Sequence, residues 1–349
     1  MNPAPREIGF AIIGTGSIAA MHARGIAATP GAKLRAVHTR TVDKAQAFAK
    51  EFGGEPVADL AALLARRDVD AICITTPSGL HGEIAIAALE AGKHVLCEKP
   101  LEITTARIDA MIAAAQRTKR LLAGVFQLRF GRGAQQLKQA IDAGRFGRLA
   151  LCSAYVKWWR APDYYSTSTW KGTKALDGGG ALINQAIHGI DLLQWLVGMP
   201  SRLTGTVRTR VHPIEVEDTA VAALEFHHGA LGVIEAATSC YPGSQLRIEI
   251  AGEKGTAVLE NDRIVTWQFA TPLPGDELVG KDNGAAIGGG ASDPKAIGFE
   301  GHRRLVDDLV QAIRNGTAPA IPSSDARNAV AIIEAIYTSS QRSIPVSVS

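Results

Sequence analysis

Three groups of residues have the types and spacing to do chemistry. Glu98-Lys99-Pro100 follows directly on an apolar tetrapeptide, His94-Val95-Leu96-Cys97. A lysine at the carboxyl end of a parallel strand stands where ligands bind in open α/β sheets. Partly shielded from water, such an ammonium has a lowered pKa and can hand a proton to a reacting oxygen. The proline fixes the local backbone, and a cis Lys99–Pro100 bond is among its options. Ordinary turn chemistry also produces Lys-Pro pairs, so the context has to decide. The second group, Gly14-Thr15-Gly16-Ser17-Ile18-Ala19, reads G-x-G-x-x-A. Its first glycine permits a tight turn, its second lets the backbone approach a pyrophosphate, and its small last residue allows close helix packing. The third is Asn184, His188 and Asp191, whose i, i+4, i+7 spacing puts them on one helix face. A histidine there can exchange a proton near neutrality, although a histidine on a helix also serves as a satisfied structural residue.

The first two groups need a parallel sheet to position them, and the pattern supplies one. An apolar strand at 8–13 runs into the glycine turn, and a helix continues to about Ala28. The N–H groups at the start of that helix suit phosphates, with Gly14, Gly16, Ser17 and Ile18 nearest them. Strands are predicted at 33–38, 70–75, 94–97 and 121–126. Helices are predicted at 43–52, from Asp59 to Arg66, at 79–91, and after a Thr104 or Thr105 cap. Strands alternating with helices imply an α/β, doubly wound parallel sheet of Rossmann type over 1–126.

The end of the second strand is where a cofactor's ribose is read. An NAD site commonly places Asp or Glu there for the 2′-hydroxyl. This chain has His38-Thr39-Arg40, with Lys44 one turn further and no carboxylate before Asp43. A hydroxyl and a guanidinium suit a 2′-phosphate, so NADP is the favoured cofactor and NAD the alternative. Arg40 stacked on an adenine face, indifferent to the phosphate, would explain the same residues.

The second half, 127–349, changes character. A helix at 135–143 leads to a strand at 148–157, then Trp158-Trp159-Arg160, a polar loop, Asp177-Gly178-Gly179-Gly180 and an amphipathic helix over 181–197. Alternating strands at 202–212, 218–226, 231–238, 245–251 and 256–260, joined by short turns, predict an open, mainly antiparallel sheet. The Gly- and Asp-rich stretch 275–299 reads as a long loop able to cover a site, and helices at 301–315 and 324–341 finish the chain. This reads as an α+β domain, expected to serve substrate binding and oligomerisation. Trp158, Trp159 and Trp170 are three of five tryptophans, and Tyr155, Tyr164 and Tyr165 three of five tyrosines. Interleaved with Lys157, Arg160, Lys171 and Lys174, they can stack on a sugar or base and bind an anion, or build a core or subunit interface.

Composition narrows the function classes. With 349 residues and 46% apolar content, two ordinary domains can each bury a core. Lys+Arg 37 against Asp+Glu 34, with no long basic block, argues against a nucleic-acid or polybasic membrane surface. No apolar run approaches the ~18 residues of a membrane span. Phe10–Ile13 after Arg6 imitates a signal peptide, but Gly14-Thr15-Gly16 interrupts it. Cys73, Cys97, Cys152 and Cys240 lie far apart without a C-x-x-C, which predicts reduced thiols in a cytoplasmic protein and no metal site.

Together these motifs resemble the Gfo/Idh/MocA oxidoreductases, the glucose–fructose oxidoreductase and inositol dehydrogenase family. The resemblance runs from Ile8 to about Val348 and rests on Gly14–Ala19, Thr75-Thr76-Pro77-Ser78 with His81, 91–100, and Gly178–Asp191. It implies a Rossmann domain followed by an α/β domain with an open sheet, often a homodimer or homotetramer. It also implies reversible hydride transfer between a nicotinamide and a secondary alcohol of a sugar, nucleotide sugar or cyclitol. By position, Lys99 and His188 match the family's active-site lysine and histidine. Thr76, Pro77, His81, Glu98 and Lys99 join the glycine turn, Thr39 and Arg40 on the cofactor side. Asn184, Asp191, Tyr164, Trp170 and Arg160 fall on the substrate side. Many members carry aspartate where this chain has Asn184, and an amide takes no proton at neutral pH. Asn184 with Trp158-Trp159-Arg160, Tyr164-Tyr165 and Trp170-Lys171-Gly172 looks like the branch that oxidises nucleotide-activated amino-sugar acids. In the expected mechanism the hydroxyl lies between Lys99 and His188; His188 moves its proton, and Lys99 stabilises charge on its oxygen. Glu98 pairs with Lys99 or meets the nicotinamide ribose. The rival is a non-catalytic NAD(P)-binding regulator of the same fold.

Overall fold

The computed structural model describes residues 6–281 and 298–348. The chain divides into two compact units after Gln127, with Gly298–Arg327 returning to the first and Asn328 onward to the second. The first unit opens with β1 (Ile8–Ile13), α1 (Ser17–Ala27), β2 (Ala32–His38), α2 (Val42–Phe52), β3 (Glu55–Pro56) and α3 (Leu60–Leu64). It continues through β4 (Ala71–Ile74), α4 (His81–Glu90), β5 (His94–Cys97), α5 (Thr105–Thr118) and β6 (Leu122–Gly124). The six strands are all parallel, in the order β3-β2-β1-β4-β5-β6. Every residue of β1 and β4 is buried, the mark of strands covered on both faces. Asp59 accepts from the Ala62 N–H at the start of α3, and Thr104 from the Arg107 N–H at the start of α5, so both helices begin on capping side chains.

The second unit contains α6 (Arg132–Asp142), β7 (Leu149–Lys157), α7 (Asp163–Ser166), a π-helical turn over Ala181–Ala186 and α8 (Ile187–Val197). Then come β8 (Pro200–Arg208), β9 (Thr219–Phe226), β10 (Leu231–Ala237), β11 (Arg247–Gly252), β12 (Gly255–Glu260) and β13 (Arg263–Phe269). The chain ends with α9 (Glu300–Asn315), α10 (Ser323–Arg342) and β14 (Val346–Ser347). The eight-stranded sheet has the order β13-β12-β11-β7-β10-β9-β8-β14. It is antiparallel except where β7 lies parallel to β10. Along β9, Ala220, Ala222, Leu224 and Phe226 are buried while Val221, Ala223 and Glu225 are exposed. One face is therefore core, with α8 against β7 and β11. The other is open, and Leu151, Val221 and Leu231 are each more than half exposed on it.

Three features depart from the expectation. The second unit is not the single run 127–349, because α9 packs on α1: the Thr29 hydroxyl donates to the Gly25 and Arg303 carbonyls, and a Cβ on Gly25 would meet the Arg303 nitrogen at 3.0 Å. β8 stops at Arg208 rather than 212, since the Asp218 carboxylate takes the N–H groups of Arg210, Val211 and His212 in place of a strand partner. β13 has no signature in the sequence because it is an edge strand with only Ile264 buried, too little to write a period of two. Most of the expected loop over 275–299 lies outside the described residues.

Candidate active site

In the first unit the register aligns the carboxyl ends of five strands. Ile13 pairs with His38 on one side and Ile74 on the other, Ile74 with Cys97, and Cys97 with Gly124. The next residues, Thr39, Gly14, Thr75 and Glu98-Lys99, thus form one row along the sheet edge. The strand order reverses between β1 and β4, the switch point at which open α/β sheets bind ligands. Hydrogen bonds lock the row: Gly14 N–H donates to the His38 carbonyl at 2.8 Å, and the Thr75 hydroxyl donates to Gly14 O at 2.9 Å and Ile13 O at 3.1 Å.

The two glycines of the turn are required for different reasons. Gly14 has φ +99°, and a Cβ there would lie 2.7 Å from the Thr75 carbonyl oxygen. Gly16 is exposed, and a Cβ there would meet no atom within 4 Å. The protein's own packing gives no reason for Gly16, whereas a phosphate resting on the turn does. Gly16 is also the N-cap of α1, and no side chain caps that end, which leaves its first N–H groups for an anion. Ser17 is exposed and Ile18 half-buried beside it, and Ala19 is fully buried beneath. Across the switch point Thr76 and Pro77 are half-buried, and the Thr76 hydroxyl is buried without a protein partner. These residues fit a dinucleotide. At the ribose end Thr39 is half-buried and Arg40 exposed, and Arg40 has no ion-pair partner among the described residues.

Glu98 and His81 turn out to brace the site from within. Glu98 is buried; its Oε1 accepts from His22 Nε2 of α1 at 2.8 Å, and His302 Nε2 of α9 lies 3.4 Å from the same oxygen. Its Oε2 accepts the Lys99 backbone N–H at 3.2 Å. The Glu98 carboxylate is thus bonded to His22 on one side and to the Lys99 backbone on the other, with His302 close by. Burial would raise its pKa, but the histidine hydrogen bonds overturn that and hold it well below the carboxylate range. Burial likewise lowers the His22 pKa against the pull of Glu98, so a neutral His22 donates to an ionised Glu98. The three ligand atoms lie within 4.8 Å of one another, close enough to consider a metal ion. Atoms sharing a tetrahedral zinc at ~2.0–2.1 Å stand ~3.3 Å apart, so the 2.8 Å contact is a hydrogen bond rather than an ion's ligand spacing. His81 is also buried, with Nδ1 2.8 Å from the Pro100 carbonyl and Nε2 2.9 Å from the Thr76 carbonyl. It ties the loop after β4 to the turn after β5. Lys99 is half-buried, and the Lys99–Pro100 peptide is cis.

The second unit brings together another set. The helix expected over 181–197 starts as a π turn, a wider winding frequent at functional sites. Glu217 holds that start: its carboxylate accepts the Gly180 N–H at 3.0 Å, the Leu182 N–H at 2.8 Å and the Tyr337 hydroxyl at 3.0 Å. A Cβ on Gly180 would sit 1.8 Å from the Glu217 carbonyl, which explains the last glycine of the 178–180 run. Between 181 and 194 all residues are buried except Asn184 and His188, which are half-buried. Only these two positions of the segment open outward. Asn184 Nδ2 donates to buried Asp177 Oδ1 at 2.5 Å, and Asn184 Oδ1 accepts from Gln185 Nε2 at 2.9 Å. Tyr164 OH accepts from Gln185 Nε2 at 2.8 Å, and burial raises its pKa well above the phenol range.

Asp191 and Arg160 are buried among protein partners. Asp191 is buried, and both its oxygens accept from Arg129, at 2.8 and 2.6 Å, a bidentate pair that anchors α8. The buried guanidinium occupies both Asp191 oxygens, whereas Asn184 and His188 stay half-buried. Arg160 is buried too, donating through Nη1 to the Trp159 carbonyl and through Nη2 to Gln185 Oε1. Trp170 and Tyr164 are half-buried, with the Lys171 ammonium 3.7 Å from the Tyr164 ring centre. His22, His302, Asp177, Gln185 and Glu217 were not singled out by sequence. Each is a lone polar residue whose partner is remote or packed against it only after folding.

The strand order, the glycine turn over its switch point and the lysine two residues beyond the sheet edge define a class: a dinucleotide-dependent oxidoreductase. Comparison with known proteins agrees. Residues 8–125 match the family description "Oxidoreductase family, NAD-binding Rossmann fold", and 134–258 match "GFO/IDH/MocA C-terminal domain". The chain belongs to the Gfo/Idh/MocA oxidoreductase family. It is 27% identical to the inositol 2-dehydrogenase of Rhizobium meliloti, over 95% of this chain and 96% of that one. It is 30% identical to the myo-inositol 2-dehydrogenase of Thermotoga maritima, over 73% and 76% of the two chains. Among solved structures, the WlbA dehydrogenase of Bordetella pertussis, in complex with NADH and UDP-GlcNAcA, superposes with a TM-score of 0.89 and 32% identity over 99% of both chains.

Proposed function

We propose that this enzyme interconverts a secondary alcohol and a ketone on a nucleotide-activated sugar, with cyclitols and free sugars as alternative substrates. The observation that carries this reading is the aligned row of strand ends that puts Lys99 on the same sheet edge as the Gly14 turn, with β4 between them. A nicotinamide cofactor held on the Gly14–Ile18 turn would supply or accept the hydride. His188 removes or returns the hydroxyl proton, and Lys99 hydrogen-bonds the same oxygen and stabilises charge on it. Asn184, oriented by Asp177, presents a fixed polar group to the substrate rather than a proton carrier. The likeness to WlbA dehydrogenase over 99% of both chains supports the nucleotide-sugar choice over the cyclitol one.

The cofactor preference rests on Thr39, Arg40 and Lys44 at the end of β2, which suit a 2′-phosphate and so favour NADPH. NADH in the WlbA complex supports the unphosphorylated form. Dissociation constants for the two cofactors decide, and equal or tighter NADH binding sinks the preference. The open sheet face with Leu151, Val221 and Leu231 supports a homodimer or homotetramer, and four unbridged cysteines support a cytoplasmic protein. The test of function is a screen of nucleotide sugars, free sugars and cyclitols, followed by nicotinamide absorbance with both cofactors. Turnover of a nucleotide sugar is expected. NAD(P)H binding without turnover of any compound would instead favour the regulatory reading.

A further inference from the structure

Lys171 is the one cation of the aromatic segment whose place in the fold has no internal explanation. It is half-buried, and its Nζ lies over the Tyr164 ring at 3.7 Å. No carboxylate comes within ion-pair distance of it among the described residues. The acid that could have served, Asp177, is spent: Oδ1 accepts Asn184 Nδ2 and Oδ2 accepts the Gly172 N–H at 2.8 Å. Arg160 nearby adds a second positive charge and is tied to Gln185. Burial lowers the Lys171 pKa, Asp177 raises it and Arg160 lowers it, which describes an ammonium short of negative charge. The ring face attracts the ammonium, and with both Asp177 oxygens committed to other donors its N–H groups are left for an anion from outside. Trp170, Tyr164 and the Asn184 amide share the neighbourhood, so the arriving group comes on a molecule with stackable and hydrogen-bonding parts.

We infer that Lys171 is a specificity-determining residue that recognises an anionic group, a carboxylate or a phosphate, on the substrate. The inference rests on the sugar-oxidoreductase reading and narrows it to acidic substrates. A charge-assisted hydrogen bond in a partly dry site changes binding by about tenfold to a hundredfold.

The experiment measures binding of three probes by calorimetry in the presence of NAD(P)H, for wild type, K171M and K171R. UDP-N-acetylglucosaminuronate carries both anions, UDP-N-acetylglucosamine only the phosphates, and myo-inositol neither. Wild type is expected to prefer the anionic probes. K171M should weaken them about tenfold or more and leave inositol unchanged, and K171R should restore most of the loss. A loss confined to the uronate assigns the carboxylate; an equal loss for both UDP probes assigns the phosphates. K171M weakening all three equally, K171R failing to rescue, or a wild type that binds no anionic probe better than inositol overturns the inference. Selective anion binding without turnover in the substrate screen would sink the oxidoreductase reading while leaving Lys171 as an anion-recognition residue. The two failures are therefore separable.

Discussion

His22→Ala tests whether Glu98 is a buried charge kept by its histidines. The His22 side chain is fully buried, and its Nε2–H is the 2.8 Å partner of Glu98 Oε1. Removing it strands a carboxylate in the interior of the first unit, and breaking a buried ion-type pair costs about 3–5 kcal/mol. His302, 3.4 Å from the same oxygen, stays and offsets part of this, which places the expected loss near the lower end. Glu98→Gln keeps the volume and an acceptor for His22 while discarding the charge. A charge-assisted bond worth about 1.5–3 kcal/mol becomes a neutral one worth about 0.5–1.5, so the expected loss is about 1 kcal/mol. The double variant has no stranded charge and should be more stable than His22→Ala alone by about 1 kcal/mol or more. Urea unfolding followed by far-UV circular dichroism measures all three. All five tryptophans (158, 159, 170, 195 and 267) lie outside the first unit, so fluorescence reports the second unit separately. The pH dependence has a definite sign. The folded His22 pKa is lowered, so below pH ~6.5 the unfolded chain takes up a proton that the folded one refuses, and stability falls by up to about 1.4 kcal/mol per pH unit. His22→Ala lacks that slope, so its deficit should shrink in acid. Strictly additive losses in the double variant, with a deficit independent of pH, would refute the buried-charge argument.

The two glycines of the turn should separate folding from binding. Gly14→Ala forces a Cβ to 2.7 Å from the Thr75 oxygen at φ +99° and should cost about 1–3 kcal/mol of stability, seen as a lower urea midpoint, whereas Gly16→Ala should leave the apo midpoint in place and weaken NAD(P)H binding. Lys99→Ala and His188→Ala should each slow turnover by about 10²–10⁴ with cofactor binding retained; near-normal turnover in His188→Ala would remove it from proton transfer. Asn184→Asp sets a second carboxylate against Asp177, so the pair should keep one shared proton and turnover should acquire a new ionisation above the ordinary carboxylate range, read from its pH profile. His94 has its pKa lowered to about 4 by burial and by Arg120, so it should draw stability down as pH falls from ~6.5 to about 4, and His94→Gln should flatten that part of the profile.

The parallel sheet, its glycine turn and the lysine at its edge were legible in the sequence because each is written locally. Buried strands are apolar runs, the turn needs small residues at fixed offsets, and Lys99 comes two residues after its strand. The same holds for Asn184 and His188, whose shared outlook follows from helical spacing even though the first turn winds as a π turn. What the residues around them do was decided by tertiary structure. Glu98 beside a lysine reads as its partner, until α1 and α9 bring His22 and His302 to its carboxylate from 76 residues before and some two hundred after. Asp191 continues the spacing of Asn184 and His188, yet Arg129, 62 residues earlier, claims both its oxygens. Local periodicity tells which face of an element a side chain takes. The charge state and job of a buried polar group depend on what stands across from it, and partners that distant leave no trace in spacing.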